Sequence, residues 1–216
     1  MSTPHAASRV SALLATVLLL TTLRAQEGGQ IHGNFSTDAQ YYNVDSAIGA
    51  VVPDQRLAAN AWANLIYTQG PFEAGARFES YTPALVGYPA GMQYSGSGIG
   101  YRYAKYKQED LEVTVGNFFE QIGQGMIFRS YEERYLGVDN AMDGIRLKFT
   151  PMRGVHLKGF IGQQRLSFAN QAVKGPGTVR GIDAEISLSE LLDSNWTSAN
   201  NLIIGGGFVS KFQEDR

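Results

Sequence analysis

The residues best equipped for chemistry lie between Val115 and Gly144, in VGNFFEQIGQGMIFRSYEERYLGVDNAMDG, where glycines, carboxylates, arginines and amides come together. Four kinds of site need testing there. Gly123-Gln124-Gly125 supplies only the first half of a phosphate-cradling G-x-G-x-x-G, because Phe128 stands at the third glycine and no βαβ unit follows. Asp139 to Gly144 begins like a calcium-binding EF-hand loop, but Ala141 occupies a ligand position and Thr150 stands where the bidentate glutamate belongs. Only a casual surface calcium on Asp139 and Asp143 is left open. A hydrolase would need a Ser–His pair. His5 falls in a leader, and neither His32 nor His156 is near a convincing serine; no G-x-S-x-G occurs. Glu132 and Glu133 are adjacent, so on a strand they point apart and cannot share acid–base work. The expectation is a protein that is not an enzyme and needs no cofactor or metal.

The elements around this stretch have a period of two. In PFEAGARFES, Phe72, Ala74, Ala76 and Phe78 fall on one face, and Glu73, Gly75, Arg77 and Glu79 on the other. Successive side chains of a strand point to opposite sides, so each such segment predicts an amphipathic strand. The pattern returns with Ile99, Tyr101 and Tyr103 against Gly98, Gly100 and Arg102. Leu111, Val113 and Val115 oppose Glu112, Thr114 and Gly116. Ile145, Leu147 and Phe149 oppose Arg146, Lys148 and Thr150. Val155, Leu157 and Ile161 oppose His156, Lys158 and Gly162. Ile182, Ala184, Ile186 and Leu188 oppose Asp183, Glu185 and Ser187. Less regular strands are expected near residues 30–41, 58–69 and 199–211.

Connections separate a soluble sandwich from a membrane barrel. NVDSAIGAVVPDQR, TPALVGYPAGMQYSGS, the Val115–Gly144 stretch and QRLSFANQAVKGPG are long; GP, KQED and PMRG are tight, and SELLDSN reads as a short helical turn. Long and short alternate, as in outer-membrane barrels with turns at one end and extracellular loops at the other. Residues 1–25 carry Arg9, an apolar run from Val10 to Leu23 and small residues before a cut, the pattern of a signal peptide. No cysteine occurs, net charge is −2, and Gly 25, Tyr 11 and Phe 11 suit a barrel; nothing argues for nucleic acid. Tyrosines gather near strand ends, as interfacial girdles do, although tyrosine also simply favours strands. The fold expected for residues 26–216 is all-β: an antiparallel up-and-down transmembrane β-barrel. It is incomplete, since about nine strands are found where an even number is required and FVSKFQEDR lacks a closing aromatic end.

Such a barrel would line its lumen with Glu73, Arg77, Glu79, Arg102, Glu112, Arg146, Lys158, Asp183 and Glu185. The long stretch, with Phe118, Phe119, Ile122, Met126, Ile127 and Phe128 too apolar for a solvated tip, should fold back against the inner wall or rim. Arg129, Glu132, Glu133 and Arg134 are then close enough to pair and to narrow the pore. The function expected is an outer-membrane, porin-like, passive or weakly selective channel for small solutes. The alternative is a plugged barrel serving as scaffold or accessory for secretion or surface display. Its partners would be outer-membrane lipid and other outer-membrane or secretion proteins.

VGNFFEQIGQGMIFRSYEERYLGVDNAMDGIRLKFTP, followed by VHLKGFIGQQ, is similar to porin-like outer-membrane proteins of Bacteroidota whose function is uncharacterised. The resemblance rests on a Gly–aromatic–Gly–x–Gly stretch ending one strand and a Gly-Val-Asp-Asn segment opening the next, and spans Gln26 to Arg216. Those proteins are much longer, which implies that this chain is the N-terminal part of one. The family carries no established substrate or catalytic residues to transfer.

Overall fold

The structure is a computed structural model that describes residues 28–88, 94–192 and 202–213; the expected signal segment lies outside them. Nine antiparallel strands form one meandering wall: β1 (Gln30–Tyr41), β2 (Leu57–Gln69), β3 (Phe72–Tyr81), β4 (Tyr94–Gln108), β5 (Leu111–Phe118), then β10 (Met142–Met152), β11 (Val155–Ala169), β13 (Thr178–Ser187) and β14 (Ile203–Phe212). Between β5 and β10 lie four two-residue strands: β6 (Gln121–Ile122), β7 (Phe128–Arg129), β8 (Glu132–Glu133) and β9 (Val138–Asp139). A short β12 (Ala172–Lys174) pairs with the end of β11, and α1 (Leu188–Leu192) follows β13. The chain is therefore all-β with an up-and-down antiparallel sheet, and the wall leaves β1 and β14 as its two edges.

The two faces differ in kind, as the alternation predicts. Phe72, Ala74, Ala76 and Phe78 stand exposed while Arg77 and Glu79 are buried. Leu65, Val115, Ile145, Leu147, Ile161, Ile182 and Phe208 continue the exposed apolar face across the sheet. Cross-strand partners share a face, so the register carries one apolar row from Val115 to Ile145 and Ile161 and another from Val113 to Leu147 and, across Gly159, to Ile182 and Phe208. Tight turns at Gly70-Pro71, Glu109-Asp110 and Arg153-Gly154 join strands at one end, and the β1–β2, β3–β4, β5–β10 and β11–β13 connections lie at the other. The β13–β14 connection, expected as a short turn, spans residues 188–202 at the tight-turn end. Gly70 and Gly154 have positive φ, which glycine adopts without steric cost.

One strand breaks the period. Arg77 pairs with Tyr101 but Phe78 pairs with Ile99, so Gly100 is an extra residue in β4. Such a bulge inverts every side chain beyond it. Tyr101 and Tyr103 consequently lie on the charged face, and Arg102 lies on the apolar one, where its side chain is 61% exposed and 3.9 Å from Asp143. This corrects the expectation that Arg102 shares a face with Arg77 and Arg146. Asn117 fills the gap: its Oδ1 accepts from the Arg102 N–H at 2.8 Å and its Nδ2 donates to the Met142 carbonyl at 3.4 Å, replacing ladder bonds lost there.

A second departure concerns QRLSFANQAVKGPG, expected as a loop. Here β11 runs on to Ala169 and turns back through β12. Because β5 and β10 are shorter than their neighbours, β4 and β11 meet directly beyond them, pairing in parallel at Tyr94–Phe168 and Ser95–Ala169. Gly96 and Gly98 permit this approach: a Cβ on either would strike Asn170. Trp62, Tyr81, Tyr94 and Phe168 close the junction as a buried aromatic cluster.

Candidate functional site

The β4–β11 junction decides where residues 119–141 go. The way straight on from β5 is shut by paired strands, so the connection turns onto the charged face of the sheet. Its backbone is satisfied locally, as a buried segment requires. Ser130 N–H donates to the Glu120 carbonyl at 2.8 Å, Tyr131 N–H to Asn140 Oδ1 at 2.6 Å, and Gly137 N–H to the Arg134 carbonyl at 3.1 Å. Gly116, Gly123, Gly125 and Gly137 all turn with positive φ.

Its apolar half packs against the wall. Phe118, Ile122, Met142, Phe160 and Val179 form one buried cluster, with Phe128 and Val209 against it. Bare backbone makes the fit: a Cβ on Gly207 would run into Ile122, and one on Gly181 into the Phe160 ring. Met126 and Ile127, expected to pack as well, remain exposed at the tip of the β6–β7 hairpin.

Its charged half enters a buried network. Arg77 Nε donates to Glu79 at 2.8 Å, Nη1 to both oxygens of Glu132 at 2.9 Å, and Nη2 to Asp139 at 2.5 Å. Arg165 Nη2 reaches Glu79 at 2.7 Å and its Nη1 reaches Glu79 at 2.8 Å and Asp139 at 2.9 Å. Arg134 adds a pair to Glu132 at 2.9 Å and stacks its guanidinium over Trp62. Three cations thus meet three anions, with the Tyr81 hydroxyl donating to Glu79 at 2.9 Å. Burial pushes the Asp139 carboxyl above its ordinary value, and the Arg165 and Arg77 guanidiniums pull against that rise. Gly100 lacks a side chain where the Glu79 carboxylate lies, so the bulge and the network occupy one spot.

A second patch is wetter. Glu120 faces Arg146 at 3.5 Å, Lys148 at 3.4 Å and Lys158 at 3.2 Å, while Lys158 also meets Asp183 at 3.3 Å and Arg146 meets Glu112 at 2.6 Å. Glu73 pairs with Lys105 at 2.7 Å and accepts from the Tyr103 hydroxyl at 2.6 Å. Eight of the nine lumen candidates therefore share the charged face: Glu73, Arg77, Glu79, Glu112, Arg146, Lys158, Asp183 and Glu185. Of the loop candidates, Glu132 and Arg134 join the buried network. Arg129 stacks over Tyr131, and Glu133 has no ion-pair partner among the described residues. Arg165 was missed: it lies in the segment read as loop, and the disturbed pairing between Arg165 and Ser167 leaves no clean period to find it by. Calcium on Asp139 and Asp143 does not fit, because Asp139 is engaged by two arginines and Asp143 pairs with Lys174 at 2.8 Å on the other face.

Fold and site together define an antiparallel β-sheet protein with one exposed apolar face and one charged face onto which its longest connection is folded. The chain belongs to the family of unknown function DUF6029, which matches residues 7–216. No curated protein and no solved structure matches it.

Proposed function

We propose that this chain builds part of the wall of a bacterial outer-membrane β-barrel that passes small polar solutes, its lumen narrowed by residues 119–141. One observation carries the reading: the face inversion, in which large apolar side chains stand exposed while charged ones are buried behind them. A water-soluble sheet hides its apolar face, whereas a barrel in lipid presents it to hydrocarbon. No helix among the described residues is long and apolar enough to cross a membrane, so strands would do the crossing. The unpaired edges of β1 and β14 are untenable in lipid unless further strands pair with them, so the proposal includes barrel closure by additional strands. The boundaries of the apolar band support it too. At the tight-turn end Phe72 and Tyr106 pack with tilted rings 4.9 Å apart, and at the long-connection end of β10 Asp143 gathers Arg102 and Lys174 into a charged group on the same face. Aromatic and charged side chains at those two levels suit the two membrane interfaces. The resemblance to porin-like proteins of Bacteroidota points the same way, and a cleaved leader at residues 1–25 would provide export.

The full-length protein should require detergent for extraction and give discrete conductance steps in planar bilayers. Leu147→Arg, on the apolar face, should cost about 2–4 kcal/mol of unfolding free energy in lipid if the residue lies near the midplane. A cost under about 0.5 kcal/mol, the range of an ordinary surface substitution, would count against lipid contact. A second reading is favoured by the buried network itself. Three cations and three anions joined in six ion pairs hold the inserted segment so firmly that a barrel carrying it could be plugged and act as a scaffold for secretion or display. Absence of conductance together with a partner retained through gentle extraction would select that reading.

A further inference from the structure

We propose that the groove between strands β1–β5 and residues 119–134 on the charged face is a binding site for neutral polyhydroxylated solutes, short oligosaccharides in particular. The inference rests on the reading of this face as a lumen wall and deepens it by naming the solute class. The groove is a cavity of about 540 Å³. Its floor is aromatic. The Tyr103 ring lies over Gly75, where a Cβ would strike its Cε1 and Cζ, so the glycine makes room for the ring on this face. Tyr101 braces it from the side, edge-on to Tyr103 at 5.9 Å, with Phe119 stacked on it at 5.5 Å and the Arg77 guanidinium over its ring at 5.1 Å. Across the groove Asn34 and Asn64 join their amides at 2.7 Å.

The charges decide the solute class. Every ionic group lining this cavity is already paired within the protein: Glu73 with Lys105, Arg77 with Glu79 and Asp139, Arg134 with Glu132 and Arg146 with Glu112. An ionic ligand would have to displace one of those partners. Neutral hydroxyls need not, because paired carboxylates keep free lone pairs and amides offer both donors and acceptors. An aromatic ring, that of Tyr103, beside convergent polar groups suits a solute ring with an apolar face and a hydroxylated rim. The bulge at Gly100 is what brings Tyr101 and Tyr103 to this face, so the same irregularity that expels Arg102 builds the platform.

The test is calorimetric titration of the full-length protein in detergent with maltohexaose, cellohexaose and xylohexaose, with gluconate as the charged control. At least one neutral oligomer should bind with Kd below about 10 mM, and gluconate should not compete. Tyr103→Ala should weaken binding about tenfold or more. Because that change also unpacks Gly75, Asn34→Leu, on exposed β1, serves as a second variant and should weaken binding about threefold or more. No binding by any of the three, gluconate binding as well, or both substitutions leaving affinity unchanged would overturn the site. Conductance without oligosaccharide binding sinks this inference alone; binding without conductance sinks the channel and leaves the site standing.

Discussion

Two patches of charge occupy the same face and both fasten the same inserted segment, yet they work differently. Around Glu79 every partner is dry: the side chains of Glu79, Arg165, Arg77 and Asp139 are 0–7% exposed. Around Glu120 the partners reach water, with the Lys148 side chain 43% exposed and Lys158 22%. Taking charges out of water costs several kcal/mol per ion, and only close, complete pairing offsets it. The dry patch meets that demand with bidentate arginines, whose rigid forks match carboxylates, whereas the wet patch uses mostly lysines, which a hydrated cluster tolerates. The contrast teaches that the dry patch specifies the position of β8 and β9, while the wet patch lies beside a segment already held by the Phe118–Ile122–Phe160 cluster.

The largest test is to leave the dry patch with an unpaired charge. Glu79→Ala leaves Arg77 and Arg165 with only Asp139 and Glu132, so one buried positive charge goes uncompensated. The loss should be on the order of 4 kcal/mol, within the range of about 3–5 for breaking a buried pair. Denaturant unfolding in detergent reads the loss, and hydrogen exchange should report residues 132–139 opening first. Next comes Ile122→Ala, which empties the space above Gly207 and should cost about 2–3 kcal/mol. Exchange should then rise around residues 121–129 while 132–139 stay protected; equal loosening of both halves would show that the segment is one cooperative unit. The smallest effect is expected from Lys148→Ala, at most about 1 kcal/mol and reduced further by salt, because that side chain is well solvated. A Lys148 effect as large as that of Glu79 would erase the distinction between the patches.

Much of the wall was legible in the residues. Phe72–Phe78 and Ile145–Phe149 alternate without interruption, and Gly70-Pro71 and Arg153-Gly154 mark the turns beside them, so face and hairpin follow from local chemistry. That residues 119–141 turn back was also legible, because Phe118, Ile122 and Phe128 are too apolar to stand in water. Its destination was not. Glu132, Arg134 and Asp139 find Arg77 and Arg165, and nothing near any of them in the chain names those partners.

What the sequence by itself determined is the set of amphipathic strands, their tight turns and the need to bury the long connection. These depend on period and on residues a few positions apart. The tertiary structure alone decided the phase of β4 beyond Gly100, and with it the fates of Arg102, Tyr101 and Tyr103. It also decided that β4 and β11 close over β5 and β10, and that Arg165 meets Glu79 across 86 positions of sequence. The physical reason is that a bulge and a buried ion pair gain their stability only from partners brought together by the whole sheet, so no local window of the chain records them.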